Sequence, residues 1–304
     1  MLELNLKALA KINLGLDVLR RREDGYHEVR MVMQTVHLYD RIQLKKTVQM
    51  GIKVETNLYY LPVNENNLVY RAARLLMDEF DIKSGVYIRL KKYIPVAAGM
   101  AGGSSDAAAV LYGMNRLFGL KLSLEELMER GVKIGADVPY CLMRGTALAE
   151  GIGEKLTPLP PVPKCPILIA KPSISVSTKF VYENLKLDET TVHPDMDAIL
   201  QAIEDGDVRG MAANMGNVLE SVTRTHYPVI GEIEDVMKKC GAWNAMMSGS
   251  GPPVFGLFPE KAAAKAAMAE IRKKDLARQL YLTDMYHVRV EHGALGRTSQ
   301  NGQE

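Results

Sequence analysis

The hydrophobic and polar positions change period several times along the chain, and those changes mark the elements. Over Ala10–Val18 the residues Ala10, Ile12, Leu14, Leu16 and Val18 alternate with Lys11, Asn13, Gly15 and Asp17, the two-residue period of a strand with one apolar and one polar face. Arg21–Gly25 reads as a turn, followed by strands at Glu28–Leu38, Arg41–Thr47 and Gly51–Thr56. Over Asn67–Phe80 the apolar residues Leu68, Ala72, Leu75, Leu76 and Phe80 cluster at helical spacing, and Gly85–Tyr93 returns to alternation. A glycine-rich loop, Pro95–Gly103, runs into an alanine-rich helix from about Ser104 to Leu117. Ser123 opens a further helix through a capping box with Glu126, ending near Gly135. Gly145–Gly151 reads as a strand.

After the proline-rich stretch Thr157–Pro166, the best place for a domain boundary, strands are expected at Ile167–Lys171, Trp243–Ser248, Val254–Phe258 and about Tyr281–Glu291. Helices are expected near Thr178–Leu185, His193–Glu204, Val208–Asn217, Val229–Lys239 and Glu260–Lys273. Mixed runs of strands and helices favour an α+β architecture over a regular βαβ winding. The division predicted is 1–160, 161–292 and a disordered tail over 293–304.

The composition narrows the function classes. Across 304 residues, 47% are hydrophobic and 24% charged, ordinary for a protein with a real core. A net charge of +2 gives no field that would gather nucleic acid or a membrane surface, so neither partner is expected, and an RNA-binding reading is disfavoured. The three cysteines, Cys141, Cys165 and Cys240, are widely spaced and read as reduced thiols. The N-terminus alternates instead of forming an apolar signal, and no run approaches the roughly 18 residues of a membrane span, so a cytoplasmic location is expected.

The strongest chemical signal is PVAAGMAGGSSDAAA, Pro95–Ala109. Gly99, Gly102 and Gly103 permit tight turns and close backbone approach. Ser104 and Ser105 follow at a helix N-terminus, where free N–H groups and the helix dipole favour an anion such as a nucleotide phosphate. The loop lacks the lysine of a GxxxxGK[ST] loop and the spacing of GxGxxG. A second glycine-rich stretch, Ser248–Pro253 (SGSGPP), sits between two expected strands.

The two loops together resemble those of the GHMP kinase superfamily, in which a P-x-x-x-G-[LM]-x-G/S-S-S segment holds phosphate and a C-terminal glycine motif completes the site. Ala10–Leu14 (AKINL), Asp24–His27 (DGYH), Glu65–Leu68 (ENNL), Arg71–Ala73 and Gly135–Pro139 (GADVP) are similar to the diphosphocytidyl-methylerythritol kinases within it, in order, over Leu6 to Val290. The loop departs from that family's pattern only in Met100 for leucine, a swap of similar volume.

The resemblance implies a two-domain α+β fold, a ribosomal-protein-S5-like lobe and a ferredoxin-like lobe, with the active site in the cleft between them. It implies an enzyme of the non-mevalonate isoprenoid route that moves the γ-phosphoryl of ATP to a sugar-alcohol hydroxyl, a reaction of positioning and charge stabilisation. Asp137 would be the base and Lys11 the cation beside the acceptor oxygen. Asn67, Lys92, Pro95, Val96, Ala97, Ala98, Gly99, Met100, Ala101, Gly102, Gly103, Ser104 and Ser105 would hold ATP. Asn13, Tyr26, His27, Asp137, Thr178 and Tyr182 would hold the cytidyl substrate, with Tyr26 and Tyr182 stacking the base and His27 reading its edge. No metal-ligand spacing occurs in the chain, so Mg²⁺ would arrive with ATP. A monomer or weak homodimer is expected. The alternatives are a GHMP kinase acting on mevalonate or homoserine, which the Tyr26–His27 pair argues against, and a nucleotide-binding regulator without activity, which the Lys11–Asp137 pair argues against.

Overall fold

A computed structural model describes residues 3–288. The segment 293–304 read as a tail lies outside the described residues, as does the end of the last expected strand. Two long antiparallel strands open the chain, β1 (Glu3–Arg21) and β2 (His27–Thr47). The two strands expected at Glu28–Leu38 and Arg41–Thr47 are therefore one. β1 pairs with β2 along its whole length, with register shifts near Ala10, Leu14 and Leu19 where the ribbon can bend and twist. There follow β3 (Ile52–Thr56), α1 (Leu68–Glu79), β4 (Gly85–Lys91), α2 (Gly102–Phe118), α3 (Leu124–Val132), α4 (Val138–Met143), β5 (Thr146–Gly151) and β6 (Lys155–Leu159). The first sheet runs β3-β4-β2-β5-β6, with β1 also on β2. β4 pairs with the second half of β2 and β5 with its first half.

β6 falls in the proline-rich stretch read from sequence as a joint. Pro158 is tolerated because β6 is an edge strand and a proline there removes no internal ladder bond. The expected capping box is present: Glu126 N–H donates to Ser123 Oγ at 3.2 Å and Ser123 N–H to Glu126 Oε2 at 2.7 Å.

The second half comprises β7 (Pro166–Lys171), α5 (Thr178–Asn184), α6 (Met196–Glu204), α7 (Val208–Asn214), α8 (Glu220–His226), α9 (Val229–Lys239), β8 (Asn244–Met247), β9 (Val254–Leu257), α10 (Lys261–Lys273) and β10 (Gln279–Asp284). Its antiparallel sheet runs β10-β7-β9-β8. Two short helices, α4 and α8, were not expected from the sequence.

The alternating face of β1 departs from the simple reading. Ala10, Ile12 and Leu14 join Ile167, Ile169, Ile199 and Phe255 in a core that spans both sheets. The polar face is buried as well: Lys11 is 6% exposed, Asn13 0% and Asp17 5%. A polar strand face without solvent needs partners for its side chains, and the candidate site supplies them.

Candidate functional site

The phosphate loop owes its shape to three left-handed residues, Ala97 (φ 52°), Gly99 (φ 59°) and Ala101 (φ 54°). This corrects the sequence expectation. Of the three glycines assigned to turning, only Gly99 does so, and two alanines take up conformations that non-glycine residues occupy at a cost of order 1–3 kcal/mol. Gly102 and Gly103 are instead the first residues of α2, which begins two residues earlier than expected. A β-carbon on Gly102 would stand 3.1 Å from both Ile94 Cγ2 and Lys92 Nζ, a tight fit that favours the glycine there. Ala101 caps α2 without a side-chain hydrogen bond, which leaves the first N–H groups free for an anion.

Ser105 is also corrected. Its hydroxyl donates to Leu9 O at 2.6 Å and is buried, so it ties α2 to β1 and is not free for phosphate. Pro95, Val96, Ala97, Ala98, Gly99, Met100, Ala101, Gly102, Gly103 and Ser104 line one cleft of about 380 Å³, with Asn67, Lys92, Asp106 and Asp137.

Asn67 and Lys92 shape this cleft with their functional atoms already engaged. Asn67 caps α1: its Oδ1 accepts from Val69 N–H at 3.1 Å and its Nδ2 donates to Pro62 O at 2.7 Å. The Lys92 ammonium is buried between Asp40 and Asp106 Oδ2, the latter at 2.7 Å. Burial works against its charge, but the Asp106 and Asp40 carboxylates outweigh that and raise its pKa. Asp40 also accepts from Tyr93 and Ile94 N–H, which anchors the approach to the loop. Asp106 Oδ1 has no partner, and burial pushes this carboxyl well above the usual range despite Lys92.

Lys11 and Asn13 sit between two of the register shifts of β1, where a bulge re-aims side chains. Lys11 N–H donates to Met100 O at 3.2 Å, and its ammonium to Asn13 Oδ1 at 2.8 Å. Asn13 N–H donates to Ser248 Oγ at 3.3 Å, which brings in the second glycine-rich stretch. There the loops meet backbone to backbone: a β-carbon on Gly99 would lie 3.0 Å from Ser248 O, and one on Gly249 3.3 Å from Gly99 O. Asn217, which sequence reasoning missed, donates to Met247 O at 2.9 Å and Gly249 O at 2.8 Å. Asp137 precedes α4 and makes no cap bond. Burial, and after it the Asp137 charge, push the Cys141 thiol up while Lys11 pulls the other way, so both charged groups lie near that thiol.

On the far side of the second loop, Thr178 opens α5 and its hydroxyl meets Ser250 Oγ at 2.8 Å. Tyr182 stands one turn later, its ring centroid 5.0 Å from that of His27 with planes tilted by 38°. Tyr26, His27, Thr178 and Tyr182 share a cleft of about 900 Å³. Burial, with Arg21 beside it, lowers the His27 pKa, so the ring is neutral near pH 7 and offers one donor and one acceptor. Burial first, then Asp137, push the Tyr182 phenol up to about 12. Sequence reasoning noticed the Ser248–Pro253 motif but assigned no residue in it, and it missed Asp40 and Asp106. An acidic residue directly after the Ser-Ser pair was the one available signal for the last. Among the described residues, no group of three His, Cys, Asp or Glu is placed to hold a metal ion, and no helix is long and apolar enough to cross a membrane.

Comparison with known proteins agrees with this geometry. Residues 67–145 match the GHMP kinases N terminal domain and residues 199–276 the GHMP kinases C terminal model. A 4-diphosphocytidyl-2-C-methyl-D-erythritol kinase of Lachnospira eligens is 59% identical over 283 residues, covering 93% of this chain and 98% of its own. The protein of that name from Caldicellulosiruptor saccharolyticus is 52% identical over 91% of this chain and 95% of its own. A crystal structure of 4-(cytidine 5'-diphospho)-2C-methyl-D-erythritol kinase matches with a TM-score of 0.81 at 33% identity, over 94% of this chain and all of the other. Homoserine kinase from Cytophaga hutchinsonii shares the fold, with a TM-score of 0.76 at 20% identity. The chain belongs to the GHMP kinases and, within them, to the 4-diphosphocytidyl-2-C-methyl-D-erythritol kinases.

Proposed function

We propose that the chain transfers the γ-phosphoryl group of ATP to the 2-hydroxyl of 4-diphosphocytidyl-2-C-methyl-D-erythritol, with Asp137 as base and Lys11 beside the acceptor oxygen. One observation carries the reading: Asp137 lines the phosphate cleft and its charge also reaches Tyr182 in the aromatic cleft. A base for this transfer has to reach both reactants, and this placement supports that role. The free N–H groups of α2 and the backbone of residues 97–103 cradle the phosphates, an anion site prepared before the ligand arrives. Asp137 accepts the hydroxyl proton as the oxygen bonds to phosphorus and the bond to the ADP oxygen breaks. Lys11, oriented by Asn13, offsets the charge that gathers on the transferred group. Mg²⁺ carried by ATP would supply neutralisation of phosphate charge, and no side chain is assigned to hold it. Tyr26 and Tyr182 sandwich the cytosine and the neutral His27 reads its edge.

A coupled ADP-release assay tests this, with mevalonate, homoserine and a uridine analogue as competing acceptors. The cytidyl substrate is expected to be preferred over all three. Asp137→Asn is expected to lower kcat by on the order of 10²–10⁴ with substrate affinity nearly unchanged. Near-normal turnover in that variant would remove Asp137 from the mechanism.

A further inference from the structure

One arrangement of charges lies outside the catalytic cleft and is not one that a sheet builds for stability. In register, Lys7 of β1 faces Arg41 of β2, and Arg41 faces Lys91 of β4. Residues directly opposite on neighbouring strands share a face, with β-carbons about 4.5–5.5 Å apart, and like charges there are destabilising. Three exposed cations therefore stand in one row across three strands. Among the described residues none of the three has a carboxylate within ion-pair distance. The neighbouring row shows the ordinary remedy: Arg89 faces Glu55 in register and pairs with its carboxylate at 3.3 Å.

The row forms the floor of a groove of about 560 Å³ on the face of β4 opposite the nucleotide cleft, since Leu90 and Lys92 point the other way. Lys7 Nζ lies 4.4 Å from the centroid of the Tyr39 ring. Arg41 first, and Lys7 with it, hold the Tyr39 phenol below its ordinary pKa, so both cations converge on that side chain.

We propose that this groove is a second anion site, in which Lys7, Arg41 and Lys91 bind a small diphosphate-bearing molecule with Tyr39 against its organic part. Strands about 4.8 Å apart spread the three cations over roughly 10 Å, which their long side chains can close on two linked phosphates. Arg41 adds a fork that matches a phosphate edge. Glu55 borders the row on one side, and a polynucleotide backbone continuing past it would meet a carboxylate. The short ligand is favoured for that reason.

The test uses the whole chain with its catalytic cleft filled by a saturating non-hydrolysable ATP analogue. Pyrophosphate is titrated at constant ionic strength, followed by calorimetry and by melting temperature, because a ligand that binds only the folded state raises it. A saturable rise is expected in the unmodified protein. Arg41→Gln is expected to weaken pyrophosphate binding by about tenfold or more. It should leave kcat and both KM values unchanged and melt no lower than the parent, because it relieves repulsion. Lys91→Gln is expected to act in the same direction. No response in the parent, or a response that survives both substitutions at full strength, overturns the site. A response confined to a single-stranded oligonucleotide at equal phosphate concentration overturns the small ligand.

Discussion

The two glycine-rich loops touch each other, and beneath each lie two carboxylates and one cation, but the cation is buried in the first cluster and half exposed in the second. Under the phosphate loop, Lys92 stands between Asp40 and Asp106, and Asp40 also holds two backbone N–H groups. Under the Ser248–Gly251 loop, two carboxylates share one cation. Glu220 accepts from Met247 N–H at 2.9 Å, and Arg224, half exposed, approaches Glu234 Oε2 at 3.1 Å without aligning a hydrogen bond. Burial first, then the Glu220 charge, push the Glu234 carboxyl up to about 8, against the pull of Arg224 and Lys238. The first cluster is tied by a buried cation bonded to both of its carboxylates, although burial pushes the Asp106 carboxyl up as well. The second relies on a half-exposed cation and on a Glu234 carboxyl pushed up to about 8.

Asp40 is where that contrast breaks most directly. Asp40→Ala would leave Lys92 with Asp106 alone and two backbone donors without an acceptor. Removing one partner of a buried ion pair costs about 3–5 kcal/mol, so a loss of that order is expected in a urea unfolding curve. A loss below about 1 kcal/mol would mean the cluster does not anchor the loop.

A smaller effect separates the loops by ligand. Thr178 ties α5 to Ser250, and Tyr182 stands one turn beyond it, so under the proposed function the second loop would serve the cytidyl substrate. Stacking of a base on one ring is worth about 1–3 kcal/mol, or roughly 5- to 150-fold in affinity. Tyr182→Ala is expected to raise KM for the cytidyl substrate within that range and leave KM for ATP unmoved. Tyr26→Ala, at a residue 62% exposed, should fall nearer the lower end. Equal changes for both ligands would show that the loops are not functionally separate.

The phosphate loop was legible because its composition is itself the signal: glycines and serines leading into alanines have few other uses. What could not be read was which residues turn, since nothing in the sequence marks Ala97 and Ala101 as left-handed, and the second loop that packs against Gly99 lies far away in sequence. Lys11 and Asn13 were placed correctly on one face of β1, but local alternation cannot reveal that another part of the chain covers that face. The same limit hid the ion cluster. Asp40 lies on β2, Lys92 just past β4 and Asp106 on α2, and apart from the place of Asp106 after the Ser-Ser pair nothing near them marks a buried charge. Asn217 escaped because its partners, Met247 O and Gly249 O, come from a distant loop.

The smallest expected effect tests the second cluster through pH. The ordinary glutamate value is 4.5, and the folded Glu234 titrates near 8. Between those values the unfolded chain has lost this proton and the folded chain keeps it. The folded state therefore binds more protons, and stability falls as pH rises through that window, reaching its full loss above pH 8. Glu234→Gln keeps the shape and removes the ionisation. It should melt close to the parent at pH 5 and above it at pH 8.5, by roughly 1–2 °C for a relief of about 1 kcal/mol. Arg224 would lose a partner in that variant, but it is half exposed and water can take up its charge. Because Met247 N–H hangs from Glu220 beside this group, KM for the cytidyl substrate is expected to rise above pH 8 in the parent and less in the variant. Parallel melting curves for parent and variant from pH 5 to 8.5 would show that the second loop rests on ionised carboxylates after all, and the contrast between the two loops would disappear.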